Sequence, residues 1–264
     1  MQRNGKGMRY LSTLAVVVCT VLSLLCPSEA LAATKGQIAR ARSQFLSAVR
    51  ARKESFELKD VRLSYSELYK MYQDALSEEK GLWYVTGDFW YYGGKPITIY
   101  PEYMYEKPAK YKSFKKKYDA EMAKAVKYVK KYKGSKMRAL AAHDWLIRHC
   151  KYVGGRDEYS DGYAALVKGK GSCKAYAEAY KAICDKVGIP CKTIWTDRHE
   201  WNLVKVEGSW FHVDVSGDDL YKTDYSFLKS TREFKRMFPR YFPNSGGAKC
   251  TNTKYDSKWE WKLK

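Results

Sequence analysis

The hydrophobic period changes abruptly within residues 169–216, and this change restricts the possible fold more than any other feature. Apolar side chains recur at helical spacing over residues 173–187. Residues 199–206 and 209–215 instead alternate with a period of two, and the Glu207-Gly208 pair between them is typical of a two-residue turn. The sequence therefore predicts a helix followed by an antiparallel β-hairpin.

Cys173 stands in the first turn of the predicted helix, directly after Ser172, which we predict to cap it. The helix dipole and the free N–H groups of a first turn favour a thiolate, the nucleophilic form of cysteine. An unperturbed thiol is ionised by only a few per cent at neutral pH, so an activating base is still needed. Cys184 lies on the same stripe but in the last turn, where the dipole opposes ionisation, and we expect it to be a buried structural residue.

The hairpin supplies a candidate base. Pairing Val206 with Ser209 across the turn places His199 and Asp214 diagonally on one face, within reach of each other. A slip of one residue would separate them. A histidine and an aspartate so placed allow an imidazole base held in its useful tautomer by a carboxylate; the alternative is a hydrogen-bonded surface histidine. His212 lies on the same face but further from the mouth of the hairpin.

The stretches "GKGSCKAYAEAYKAICDKVGIP" and "HEWNLVKVEGSWFHVDVSGDD" resemble the bacterial transglutaminase-like superfamily, of the kind related to kyphoscoliosis peptidase and cytokinesis protein domains. The resemblance covers about residues 136–230. It implies an α+β, papain-like fold with the cysteine helix packed on an antiparallel sheet. It also implies that Cys173 is the nucleophile, His199 the general base and Asp214 the residue that orients it. No metal and no organic cofactor is implied.

Three positions depart from the family pattern. Residues 175–177 read Ala-Tyr-Ala where Gly-Tyr-Ala is usual, and Glu200 stands where a small residue is common. Ser216 and Gly217 occupy the place of a common Thr-Trp pair. None of these positions belongs to the implied triad, so the departures concern the pocket walls and substrate preference.

The remaining chain divides into further predicted elements. Apolar spacing and the Ser64/Glu67 capping box predict helices over residues 34–53 and 64–76. An aromatic-rich stretch predicts short strands, and we expect its aromatic side chains mainly in a core rather than on a ligand platform. The other predicted elements are strands over residues 82–86, 89–92 and 97–103, helices over 113–132 and 135–149 (the second capped by Ser135), a connector over 153–171, and a packed final strand around 259–261.

The N-terminus has the layout of a secretory signal peptide over residues 1–32: a basic leader, an apolar run over 11–25 and an Ala-Leu-Ala site. The alternative is a membrane anchor, but about 15 apolar residues are short for a span. Beyond the signal peptide we predict an N-terminal helical and aromatic extension over 33–108, a catalytic core over 109–243 and a C-terminal tail over 244–264.

Charge and cysteine content fit export. The net charge of +20 favours anionic surroundings, so envelope polymers are candidate partners, although the lysine-rich stretches are better explained as solvated helix faces than as a dedicated binding patch. Export disfavours nucleic acid. Five cysteines follow the predicted signal peptide, and this odd count indicates a free thiol, with disulfide pairing of the other four left open. Neither the cysteine nor the histidine spacing favours a zinc site.

Together these features predict an exported, transglutaminase-like cysteine enzyme. It would transfer acyl groups from protein or peptide amides through Cys173, His199 and Asp214, by hydrolysis rather than cross-linking. The alternative is a non-catalytic module that binds the cell envelope and keeps the fold by descent.

Overall fold

The structure is a computed structural model that describes residues 32–104, 108–154, 157–241 and 249–263. Apart from Ala32, the predicted signal peptide lies outside the described residues. Among the helices that are described, none is both long enough and apolar enough to cross a membrane.

The N-terminal part packs two helices on one face of a small antiparallel sheet. Thr34 and Ser64 cap these helices, and the predicted capping box of Ser64 with Glu67 is confirmed. Of its three strands, the last in the chain lies between the other two. The elements are α1 (Lys35–Arg50), β1 (Phe56–Leu58), α2 (Tyr65–Glu78), β2 (Val85–Tyr92) and β3 (Ile97–Tyr103).

The aromatic stretch differs from its prediction in two ways. The two strands predicted over 82–86 and 89–92 are one strand, β2, whose register shifts between Val85 and Phe89. The Thr86 hydroxyl accepts a hydrogen bond from the Asp88 N–H at 3.2 Å within this bulge. The expectation that the aromatic side chains lie mainly in the core holds for the inward-facing ones, but the alternate side chains of β2 and β3 face solvent.

Two helices follow, and their buried side chains belong to a hydrophobic core that is separate from the core of the N-terminal part. They are α3 (Pro108–Val129) and α4 (Gly134–His149). Helical spacing predicts a buried stripe of Tyr118, Met122, Val126 and Val129 on α3; all are buried except Val126, which is half-buried. The predicted cap of α4 is wrong: the N-cap residue is Lys133, which makes no side-chain cap, and the Ser135 hydroxyl instead accepts from the Glu207 N–H at 3.2 Å.

The central unit is an antiparallel sheet whose four strands, in the described residues, lie side by side in their chain order, with the helix that begins at Cys173 packed on the first two strands. An α+β fold with the cysteine helix on an antiparallel sheet is thereby confirmed. The elements are β4 (Lys151–Tyr152), β5 (Lys170–Gly171), α5 (Cys173–Lys186), β6 (Cys191–Trp195), β7 (Glu200–Val206), β8 (Ser209–Val213), α6 (Val215–Tyr221), β9 (Phe227–Lys229) and α7 (Thr231–Met237). The connector predicted over 153–171 also contains a 3-10 turn (Asp157–Tyr159) and a π-helical turn (Ala164–Lys168).

The C-terminal segment packs on this unit without forming the predicted strand, since residues 249–263 contain only turns and irregular chain. Tyr255 and Trp261 nevertheless lie in the same core as α5. Lys229 on β9 holds the segment: its buried ammonium donates to the carbonyl oxygens of Tyr255 (3.0 Å), Asp256 (3.0 Å) and Lys258 (2.5 Å). The predicted limits of extension, core and tail stay a prediction.

Lys229→Met is expected to lower the free energy of unfolding by about 3 kcal/mol, because it leaves buried carbonyl oxygens without a donor. Urea denaturation measures this loss. Lys205→Met, at an exposed position of the same sheet, is the control and should change stability by less than about 0.5 kcal/mol. Equal stability of the two variants would contradict the anchoring role of Lys229.

Candidate active site

A cleft of about 710 Å³ lies between the N-terminal part and the central unit. Cys173 and His199 line it on one side, and Tyr69, Gln73 and Asp88 line it on the other. The residues that sequence analysis assigned to the extension therefore form one wall of the cleft that contains the predicted nucleophile.

Cys173 is the first residue of α5, as predicted, and it is half-buried at the cleft. Ser172 is the N-cap residue, but it makes no side-chain cap, so that detail of the prediction is wrong. Gly171 permits the tight approach of the preceding chain, because a Cβ there would lie 2.9 Å from the Ala175 Cβ. The first turn thus places the thiol at the edge of the cleft with the helix amides behind it.

His199 joins the other two predicted residues. Its Nε2 lies 2.7 Å from the Asp214 Oδ2, and its ring also makes a hydrogen bond with the Cys173 thiol. Since Nε2 faces the carboxylate, Nδ1 is the nitrogen left for the sulfur. The observed pairing of Val206 with Ser209 confirms the predicted register. The structure therefore brings Cys173, His199 and Asp214 together in the predicted order of contacts.

The electrostatics of this chain of contacts favour a thiolate beside an imidazolium. Burial alone would raise the pKa of the Cys173 thiol, but the hydrogen bond and charge of His199 and the backbone N–H groups of Glu200 and Lys174 lower it below 9.0. Burial opposes protonation of His199, yet Asp214 and Cys173 raise its pKa to about 10.

Asp214 stays ionised although it is buried. Burial raises its pKa, but the charge and hydrogen bond of His199, the Gly217 N–H and the Ser216 hydroxyl outweigh burial and lower the pKa below 3.8. Oδ1 accepts from the Ser216 hydroxyl at 2.7 Å and from the Gly217 N–H at 3.0 Å, which leaves Oδ2 for His199. One carboxylate oxygen is thus fixed by the chain and the other by the imidazole.

Sequence reasoning missed the roles of Ser216 and Gly217, because it extended the strand to residue 215. Strand β8 ends at Val213 and Asp214 caps α6. A Cβ on Gly217 would lie 2.8 Å from the Asp214 Oδ2, so only glycine leaves room for this carboxylate. An aspartate followed by glycine at the third helical position was the available signal for a helix start.

Trp201 and His212 hold the imidazole of His199 in position. The ring of Trp201 stacks on that of His199, with centroids 5.6 Å apart. The Trp201 Nε1 donates to the His212 Nδ1 at 3.0 Å, and the His212 Nε2 contacts the Thr231 hydroxyl. Burial lowers the pKa of His212 to about 3, so it is neutral and holds the tryptophan.

Comparison with known protein families finds a match over the segment that contains these site residues. Residues 120–215 match the model of the transglutaminase-like superfamily core, a range that contains Cys173, His199 and Asp214. Over this segment the chain is similar to the transglutaminase-like superfamily. No curated protein matches the chain.

The solved structures that are similar to this chain are distant from it in sequence. A TGase is 12% identical over 59% of this chain and 50% of its own, with a TM-score of 0.39. A candidate cysteine protease from Cytophaga hutchinsonii is 14% identical over 49% of this chain and 61% of its own (TM-score 0.33). A candidate protease from Parabacteroides distasonis is 12% identical over 46% of this chain and 32% of its own (TM-score 0.32).

Glu200, one of the departures from the transglutaminase-like pattern, lies in the cleft beside the sulfur. Burial and the neighbouring Glu178 raise the pKa of Glu200 to about 8, while Lys174 opposes the shift. The Lys174 ammonium lies 3.9 Å from the Glu178 Oε1. The cleft wall next to Cys173 is therefore richer in carboxyl groups than in cations.

The aspartates that follow Asp214 have separate partners in the central unit. The Asp218 Oδ2 lies 3.1 Å from the Nε2 of buried His143. The Asp219 Oδ2 accepts from the Tyr176 hydroxyl at 2.6 Å and from the Tyr152 N–H at 3.1 Å. These two carboxylates tie α6 to the interior, as expected for residues outside the His199 contact.

His143 gives stability a pH dependence. Burial lowers its pKa, but the carboxylates of Asp144 and Asp218 outweigh burial and raise it to about 9, above its ordinary 6.5. The ion pair therefore stabilises the fold fully below pH 6.5 and is lost as pH rises through about 9.

We expect the advantage of the wild type over His143→Gln in urea midpoint to shrink between pH 6 and pH 9.5. Exposed His149→Gln is the control, and a constant advantage of the wild type would contradict the ion pair.

The five cysteines of the described chain are all free thiols. Cys150, Cys184, Cys191 and Cys250 are buried, and burial raises the pKa of Cys150 and of Cys250 to about 12. The thiols of Cys184 and Cys191 form a hydrogen bond with each other, and neither belongs to a disulfide. Cys173 thus differs from the other four in exposure, and the direction of its pKa shift is opposite to that of Cys150, Cys191 and Cys250.

Proposed function

We propose that the chain is an exported cysteine enzyme that transfers acyl groups from protein or peptide amides. The observation that carries this proposal is the continuous contact from the Cys173 thiol through His199 to the ionised Asp214, at the wall of an open cleft. The family assignment of residues 120–215 supports it. Export rests on the signal-peptide pattern of residues 1–32.

In the first half-reaction the Cys173 thiolate attacks the amide carbonyl, and a carbon–sulfur bond forms. The Cys173 N–H at the start of α5 is the proposed donor to the oxyanion. His199 gives its proton to the leaving amine as the carbon–nitrogen bond breaks, which leaves a thioester.

In the second half-reaction a water molecule attacks the thioester and loses a proton to His199. The carbon–sulfur bond breaks, and the thiolate and imidazolium are restored together with the acid product. A primary amine in place of water would give a new amide instead. We propose hydrolysis as the main route because water is always present at the open cleft.

The test is a screen of acyl-peptide amides with the exported chain, with and without a primary amine, followed by mass spectrometry of the products. Hydrolysis predicts free acid products and a thioester on Cys173 that can be trapped by acid quenching. Amide products only with added amine would instead indicate transamidation.

The second candidate function, a non-catalytic module that binds the cell envelope, is favoured by the net charge of +20. It predicts no turnover of any amide and a Cys173 that is inert to thiol probes in the folded protein. Binding to anionic envelope polymers, without amide turnover and without labelling of Cys173 by thiol probes, would favour this candidate.

A further inference from the structure

The outward face of the N-terminal sheet carries exposed aromatic side chains. Trp90, Tyr92 and Tyr100 have 44%, 68% and 39% of their surface exposed. The inward face packs on α1 and α2. We call the outward surface the aromatic face; it consists of Glu57, Asp88, Trp90, Tyr92, Thr98, Tyr100 and Glu102.

The rings of the aromatic face are held in place although they are exposed. Trp90 and Tyr100 are direct partners across β2 and β3. The Tyr92 and Tyr100 rings meet edge to face with centroids 5.8 Å apart. The Trp90 Nε1 donates to the Glu102 Oε1 at 3.2 Å. The aromatic face is therefore preformed, and its side chains would lose little entropy when a ligand binds.

The charges on the aromatic face are all negative: Glu57, Asp88 and Glu102. This contrasts with the whole chain, in which 49 lysine and arginine residues outnumber 29 acidic ones. Carboxylates and the π-faces of tryptophan and tyrosine both attract ammonium and guanidinium groups. At physiological ionic strength charges are screened beyond about 8 Å, so these local carboxylates outweigh the net positive charge for a bound cation.

The aromatic face continues into the cleft. Asp88 belongs to both the aromatic face and the cleft. Its negative charge contributes to the raised pKa of Lys174, the residue that follows the predicted nucleophile. Tyr92 lies four positions after Asp88 on strand β2, a distance of about 13 Å, which an extended peptide covers with about four residues. A peptide with its reacting amide at Cys173 can thus run along this face.

We propose that the aromatic face binds an arginine- or lysine-bearing segment of the peptide substrate, away from the reacting amide. Cations lie against Trp90, Tyr92 and Tyr100 and pair with Asp88 and Glu102. This inference rests on the proposed function, because the bound segment continues to the amide at Cys173.

The test measures the binding of fluorescein-labelled (Arg-Gly)₄ amide by anisotropy to the exported chain carrying Cys173→Ala, which prevents turnover. Arginine is chosen because its guanidinium stacks on aromatic rings and pairs with carboxylates, yet does not act as an acyl acceptor. We expect Trp90→Ala to weaken binding about three- to five-fold, the loss of one exposed cation–π contact. Tyr225→Ala removes an aromatic side chain of similar exposure (49%) elsewhere and should leave binding unchanged.

Equal binding of (Arg-Gly)₄ and (Glu-Gly)₄ would overturn the proposal, as would equal losses in Trp90→Ala and Tyr225→Ala. Self-association that Trp90→Ala abolishes would instead make the face an interface between copies. If Cys173-dependent turnover is found but shows no preference for arginine-bearing substrates, only this inference fails. If no amide is turned over, the proposed function itself fails.

Discussion

Cys173→Ala and His199→Ala are each expected to reduce turnover to background, a fall of about 10⁴-fold or more. The thiol supplies the nucleophile, and the imidazole both stabilises the thiolate and carries the proton to the leaving amine. Because the two side chains act as one unit, the double variant should be no slower than either single variant. The fold should survive, since Cys173 and His199 line the open cleft.

Steady-state kinetics on the substrate found by the screen checks this expectation. Cys150→Ala, which removes a buried thiol, and His149→Ala, which removes an exposed imidazole, are the matched controls and should retain activity within a few-fold. A His199→Ala variant with near wild-type activity would remove the base and the proposed mechanism with it.

Asp214→Asn is expected to lower the rate by about 10²- to 10⁴-fold while leaving weak residual activity. The carboxylate accepts hydrogen bonds on both oxygens, from Ser216 and Gly217 on one and from His199 on the other. An amide has one oxygen, so its NH₂ group must face either the imidazole or the helix N-terminus. In the first case the imidazole loses its proton at Nε2, and in the second case α6 loses its cap.

Asp219→Asn is the control for this substitution, because Asp219 is equally buried but bonds to Tyr152, Tyr176 and Lys222 instead of His199. It should keep the rate within a few-fold, and circular dichroism should confirm the fold of both variants. A crippled Asp219→Asn beside a near wild-type Asp214→Asn would contradict the role given to Asp214.

The helix of Cys173 and the register of the hairpin could be predicted because each depends on local chemistry. Helical spacing fixes the face of α5, and the Glu207-Gly208 turn fixes which residues pair. That register brings His199 and Asp214 to the same end of the hairpin. The end of β8 could not be predicted in this way, because the capping of α6 by Asp214 competes with the alternating pattern that continues to residue 215.

Other features depend on contacts distant in sequence. Ser135 has the composition of a cap but contacts Glu207 instead, 72 residues away. In β2 and β3 aromatic residues stand on both faces, so alternation alone does not tell which face packs on α1 and α2. The cleft wall formed by Tyr69 and Asp88 likewise arises only when the two parts of the chain pack together.

The most direct test of the central claim is the rate of iodoacetamide labelling of each cysteine as a function of pH, followed by peptide mass spectrometry. The thiolate–imidazolium pair predicts that Cys173 labels fastest, with a midpoint below the ordinary thiol value of 9.0, whereas Cys250 should resist labelling until about pH 12. In His199→Ala the midpoint of Cys173 should rise, because burial then acts with less opposition. A Cys173 that labels like a free model thiol, or more slowly than Cys250, would contradict its assignment as the nucleophile.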